Sequence, residues 1–120
     1  MSDSMDPGYA KAGIEAAQRC VRQFYEKVLP KDVTAEQQLL KLGEEFGELC
    51  KGLHKRNQVA IADGLTDCLY VILGIANLRG IPLGPLFVEV HQANMRKTRD
   101  GTLSPRGKDY VDPSIAELLE

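Results

Sequence analysis

Three glutamates, Glu44, Glu45 and Glu48, fall within the stretch KLGEEFGELCK at 41–51. At a helical advance of about 100° per residue their carboxylates share an arc of about 100°. Leu39, Leu42, Phe46, Leu49 and Leu53 line a different arc, at i, i+3, i+7, i+10 and i+14. The pattern predicts an amphipathic helix with a packed face and an acidic face. A second acidic pair, Asp63 and Asp67, follows at i, i+4, on one face of a helix. The run around it, 59–78, is otherwise almost wholly apolar, which predicts a buried helix. Charges inside a buried helix need compensation. A hard cation shared between the two helices supplies it, because magnesium takes oxygen ligands from carboxylates and substrate phosphates. Two plainer readings stand beside that one. The glutamates could form a solvated face, and Asp63 and Asp67 could pair with lysine or arginine.

The elements that must position these acids follow from local signals. A first helix is expected over about 9–28, with Ile14, Ala17, Val21, Phe24 and Val28 as its stripe and Pro30 ending it. Thr34 and Gln37 have the spacing of a capping box at the start of the second helix, which runs to about Leu53. Gly43, Gly47 and Gly52 within it imply close helix packing or room for a ligand. A polar connection at 54–58 leads to the third helix, stopped by Gly80 with Pro82 beyond. Such a short connection predicts that the second and third helices pack antiparallel. Pro85 starts a fourth helix to about Lys97, with Leu86, Val90 and Met95 inward and His91, Asn94 and Lys97 on one face. The tail at 98–120 carries turn signals at Gly101, Pro105 and Gly107. Lys108 and Tyr110 sit among them as candidate phosphate and base contacts, on a segment expected to fold over a site. Asp112 and Pro113 can cap a last short helix. No stretch shows sustained alternation, so an all-α, four-helix bundle-like domain over 1–120 is expected, with its core at about 9–97.

Composition narrows the classes. The 120 residues carry a net charge of −2, which gives no basic surface for nucleic acid. The basic run at 95–99 suits a few phosphates. Cys20, Cys50 and Cys68 show neither disulfide nor zinc spacing, and are expected as buried free thiols. The N-terminal residues lack signal-peptide character. The apolar run at 68–78 contains Gly74 and Asn77 and reads as too short for a bilayer. A soluble cytoplasmic chain without a membrane partner is expected.

Over about 34–110 the sequence resembles the all-α nucleoside-triphosphate pyrophosphohydrolases. These are the MazG-like group that includes phosphoribosyl-ATP pyrophosphohydrolase. That family's pattern is EExxE on one helix and ExxD on the next, together holding magnesium. Glu44-Glu45-Phe46-Gly47-Glu48 matches the first part. In the second part Asp67 matches the aspartate, but Gly64 stands where the glutamate belongs, and Asp63 lies one residue further back. The runs 62–71, 89–97 and 107–110 with Pro113 are similar to a phosphoribosyl-ATP pyrophosphohydrolase-like subgroup.

The resemblance implies hydrolysis between the α- and β-phosphates of a nucleoside triphosphate or related nucleotide. The products are a monophosphate and pyrophosphate. It implies magnesium, or manganese in its place, on Glu45, Glu48, Asp63 and Asp67. Glu44 becomes the outer carboxylate that orients or deprotonates water. Lys51, Asn94 and Lys97 meet the phosphates, and Tyr70 and His91 lie beside the nucleotide. A homodimer or homotetramer is implied. A catalytically degenerate helical module that binds a nucleotide or a partner is the alternative. A di-iron bundle is disfavoured, because His54 is six residues from Glu48 and His91 two from Glu89, against the three that Glu-x-x-His needs.

Overall fold

The computed structural model describes residues 6–99, 102–103 and 113–120. The chain is all-α, with α1 at Pro7–Val28, α2 at Ala35–His54, α3 at Gln58–Leu78, α4 at Leu83–Arg96 and a short α5 at Ile115–Leu118. Local chemistry sets the helix ends. Thr34 accepts a hydrogen bond from the Gln37 N–H at 3.1 Å, and the Gln37 side chain accepts one from the Thr34 N–H at 3.0 Å. That reciprocal box starts α2. Asn57, absent from the sequence expectation, caps α3 by accepting from the Ala60 N–H at 3.1 Å. Gly80, at φ +66, ends α3 in the left-handed conformation that glycine adopts without a Cβ penalty.

Two compact units are present. One combines the first fifteen residues with 82–120, and the other is Ala16–Ile81. The second holds the helical hairpin of α2 and α3. Gly52 lies against Ala60, Leu49 against Gly64, and Glu45 interacts with Asp67, so the two helices run antiparallel. Gly64 sets how closely they approach. A Cβ there would lie 3.0 Å from both Cα and Cβ of Leu49. Gly52 makes a similar approach to Ala60, whereas Gly43 and Gly47 face open space and close packing does not account for them.

The α1 face toward this hairpin is partly polar. Gln18, buried, donates through Nε2 to Asn77 Oδ1 and to the Ile81 carbonyl, both at 3.0 Å. Asn77 Nδ2 donates back to the Gln18 carbonyl at 2.9 Å. Tyr25 donates its hydroxyl hydrogen to Gln38 Oε1 at 3.1 Å. Its ring lies over Gly74, where any Cβ would collide with the hydroxyl.

Several expectations are corrected here. The inward residues of α1 include Gln18, Val21 and Tyr25, while Phe24 and Val28 are exposed. On α2 the inward residues are Gln38, Leu42, Glu45, Leu49 and Gly52, while Leu39, Phe46 and Leu53 form an exposed stripe. The second helix therefore sits rotated relative to the expected apolar arc. The third helix is not buried all round, since Leu65 and Leu69 are each 55% exposed. Cys20 and Cys50 are exposed and Cys68 half-buried, not interior. Val90 and Met95 are exposed, and α4 instead buries Gly84, Leu86 and Ala93. By length and composition alone the 21-residue α3 is sufficient to cross a membrane, contrary to the sequence expectation. It carries two aspartates one turn apart and packs on α2, as a helix seated on protein does.

In the other unit, two-residue strands Thr98–Arg99 and Thr102–Leu103 pair antiparallel directly after α4, with Thr98 opposite Leu103. The tail therefore leaves α4 as a hairpin and does not prolong the helix. Ser114 is held at α4 by Glu89, whose Oε1 accepts from the Ser114 N–H at 2.9 Å and lies 3.8 Å from Arg96 Nη2. Ser114 is the N-cap position of α5. Asp112, the expected cap, lies outside the described residues.

Candidate functional site

The acidic residues meet where α2 and α3 face each other. Glu45 sits half-buried on the inward face of α2, seven residues after Gln38 and four before Leu49. Its neighbours across the helix pair are Asp67, half-buried, and Asp63, exposed one turn earlier on α3. Partial burial raises the Glu45 pKa above the ordinary carboxylate value, and the charge of Asp67 raises it further. A hydrogen bond between the two side chains and the charge of Asp63 act the same way. Lys41, one turn back on α2, works in the opposite direction and does not cancel them. Like charges thus crowd at this point, and in the protein alone the crowding favours a proton on Glu45.

That is the donor chemistry a hard cation needs: oxygen ligands with more negative charge than nearby lysine neutralises. The arrangement supplies a converging pair with a third acid beside it. Among the described residues no three His, Cys, Asp or Glu side chains yet stand close enough to share a metal ion. Glu44 and Glu48 are exposed on the adjoining face of α2. Glu48 lies 3.9 Å from Lys51 Nζ, an exposed i, i+3 ion pair, so Lys51 already has a carboxylate neighbour. Gly64 cannot be replaced by a projecting side chain without moving Leu49.

Tyr70, one turn after Asp67, is 39% exposed and meets the Phe24 ring edge-on, with centroids 5.9 Å apart. Phe24 in turn meets Tyr25 at 6.3 Å. Partial burial, with the nearby Tyr70 hydroxyl, raises the Tyr25 pKa. Sequence spacing alone does not mark Tyr25, Gln38 or Gly74. A glycine in the interior of an apolar helix was the available signal, since it marks a close approach by some bulky group.

His91, Asn94 and Lys97 lie on α4, or at its C-cap, in the other unit. Lys97 Nζ donates to Asn94 Oδ1 at 3.2 Å, so those two do share a face. His91 is exposed. Lys108 and Tyr110 lie outside the described residues, as does most of the tail segment expected to cover a site.

An all-α chain with EExxE on one helix and an aspartate pair on the antiparallel next one defines a protein of the MazG-like superfamily. Residues 15–94 match the family model described as phosphoribosyl-ATP pyrophosphohydrolase, and the chain belongs to that family. The family carries a nucleotide pyrophosphohydrolase type of role and is generally dependent on divalent cations. Among curated proteins, the chain is 44% identical over 48 residues to an uncharacterized 18.2 kDa protein in the rep-hol intergenic region of Haemophilus phage HP1. The match covers 40% of this chain and 29% of that protein, so the chain spans well under half the length of this relative. No solved structure matches the chain significantly.

Proposed function

We propose that this chain is a magnesium-dependent nucleoside triphosphate pyrophosphohydrolase, cleaving between the α- and β-phosphates to give a nucleoside monophosphate and pyrophosphate. The observation that carries it is the approach of Glu45 to Asp67 and Asp63, like charges placed together beyond what the nearby Lys41 offsets. Glu45, Asp63, Asp67 and Glu48 are the residues that would hold magnesium, with manganese as a substitute. Bound there, the ion supplies charge neutralisation for phosphate oxygens and an acidified water. Glu44 stands one residue from Glu45 on the exposed side of α2, where a carboxylate can orient or accept a proton from that water. Tyr70 offers a ring edge held by Phe24 for the nucleotide. Lys51 is a further phosphate ligand once it leaves Glu48, since lysine serves phosphate as a point charge.

A homodimer or homotetramer is part of the proposal. The exposed stripe Leu39, Phe46 and Leu53, together with Leu65, Leu69 and Ile72 on α3, is apolar area that a second copy would cover. Gly64 favours a second reading, a degenerate module that binds nucleotide without turnover, because one carboxylate of the family pattern is missing. Pyrophosphate release decides between them. A panel of NTPs, dNTPs and phosphoribosyl-ATP is assayed with magnesium and with EDTA. Release with magnesium that EDTA abolishes is expected. Nucleotide binding without release establishes the module instead.

A further inference from the structure

Two helices of this chain end in the same hydrogen-bonded motif but carry different residues at its left-handed position. After α3, the Gly80 N–H donates to the Asn77 carbonyl at 3.1 Å and the Ile81 N–H to the Ala76 carbonyl at 2.8 Å. After α2, the Arg56 N–H donates to the Leu53 carbonyl at 3.1 Å and the Asn57 N–H to the Gly52 carbonyl at 3.0 Å. Gly80 has φ +66 and Arg56 has φ +55. The position is usually glycine, because a Cβ is crowded there. Among the described residues Arg56 is the only non-glycine with positive φ.

Arg56 belongs to a basic knuckle formed with Lys51, His54 and Lys55, all exposed. Cations in the last turn of α2 complement its dipole, which accounts for Lys51 and His54. It does not account for an arginine held in a backbone conformation that α3 assigns to glycine. Lys51 is paired with Glu48, whereas among the described residues neither Lys55 nor Arg56 forms an ion pair. The knuckle closes the very hairpin that carries Glu45, Asp63 and Asp67. Asp63 and Asp67 lie five and nine residues into α3, roughly 7.5 and 13.5 Å from its start at 1.5 Å per residue. Both gaps are within reach of an arginine side chain and a short polyphosphate. The acid cluster alone repels a polyanion. Cations at one end of it attract the polyanion and also give it a direction.

We propose that Arg56, assisted by Lys55, anchors the terminal phosphates of a nucleoside triphosphate, selecting triphosphate over monophosphate whatever the base. This deepens the proposed function and rests on it. Arginine suits the role through its fixed fork of donors to phosphate oxygens. The monophosphate product lacks the anchored group and leaves.

The test uses the full chain and magnesium tripolyphosphate as probe, with affinity read by calorimetry at low and high salt and stability read by thermal melting. In Arg56→Gly, relief of the left-handed strain raises Tm by about 2–5 °C, while tripolyphosphate affinity falls at least tenfold at low salt. Lys55→Gln/Arg56→Gln loses affinity likewise, and Arg22→Gln on α1 changes neither. Arg56→Gly affinity within twofold of wild type overturns the anchor. If Asp67→Asn nevertheless abolishes binding, the anchor fails and the pyrophosphohydrolase reading stands. Absence of tripolyphosphate binding by the wild type overturns the anchor, and pyrophosphate release from nucleotides then decides the pyrophosphohydrolase reading by itself.

Discussion

Restoring glutamate at position 64 should damage this protein instead of improving it. A Cβ on Gly64 would lie 3.0 Å from Cα and Cβ of Leu49 and 3.4 Å from its Cδ1. Carbon contacts settle at about 3.5–4.0 Å, and because the Leu49 Cα is backbone and its Cβ is fixed to that backbone, α2 has to retreat. Gly64→Ala gains about 1 kcal/mol of helix propensity. Overpacking of this kind costs about 1–3 kcal/mol, so alanine should leave the fold about 1 kcal/mol weaker. Gly64→Glu adds a carboxylate to a helix interface already holding Glu45 and Asp67, at a further cost of about 1–3 kcal/mol. A net loss of about 2–4 kcal/mol would lower Tm by about 10 °C for a chain of this size. Retreat of α2 also carries Glu45 away from Asp67, so turnover should fall. Urea and thermal unfolding without metal, beside pyrophosphate release with magnesium, measure both effects. A Gly64→Glu protein as stable as wild type, or one with raised turnover, would refute the helix approach on which this reasoning rests.

Three other outcomes follow from the same contacts. Glu45 has a raised pKa in the fold, so the metal-free protein holds its stability below the ordinary carboxylate range and loses it as pH rises through the raised value. Asp67→Asn removes the main neighbouring charge, and should flatten that loss, leave metal-free stability equal or higher, and sharply cut metal-dependent turnover. A destabilised Asp67→Asn with unaltered metal affinity would instead mark Asp67 as the partner of a buried cation. Gly74→Ala displaces the Tyr25 ring, losing its hydrogen bond to Gln38 and its edge contact with Phe24. A net cost of about 1–2 kcal/mol by urea unfolding is expected, and no cost would show that Tyr25 has another resting place. Phe46→Glu, on the exposed stripe of α2, should shift the chain to monomer in analytical ultracentrifugation, and an unchanged mass would place any subunit contact elsewhere.

Much of this protein is determined by sequence neighbours. The box of Thr34 and Gln37, the stop at Gly80 and the break at Pro30 act within a few residues, because a helix end satisfies its backbone groups locally. The short connection then requires α2 and α3 to return antiparallel, and that alone puts the two acidic stretches beside each other. What the sequence left open was rotation. Both Leu42–Leu49 and Leu39–Phe46–Leu53 are apolar ridges on α2, and periodicity does not rank two adjacent ridges. The tertiary structure turns the first one inward, which brings Glu45 to Asp67 and leaves Phe46 in solvent. Gly64 decides how near the helices come, and Asp63, set back one residue, becomes the third acid. Nor could spacing show that Tyr25 needs Gly74, or that Arg56 takes a glycine's conformation at the end of α2. Each depends on which distant atoms fill the space around a residue, and no local pattern contains those atoms.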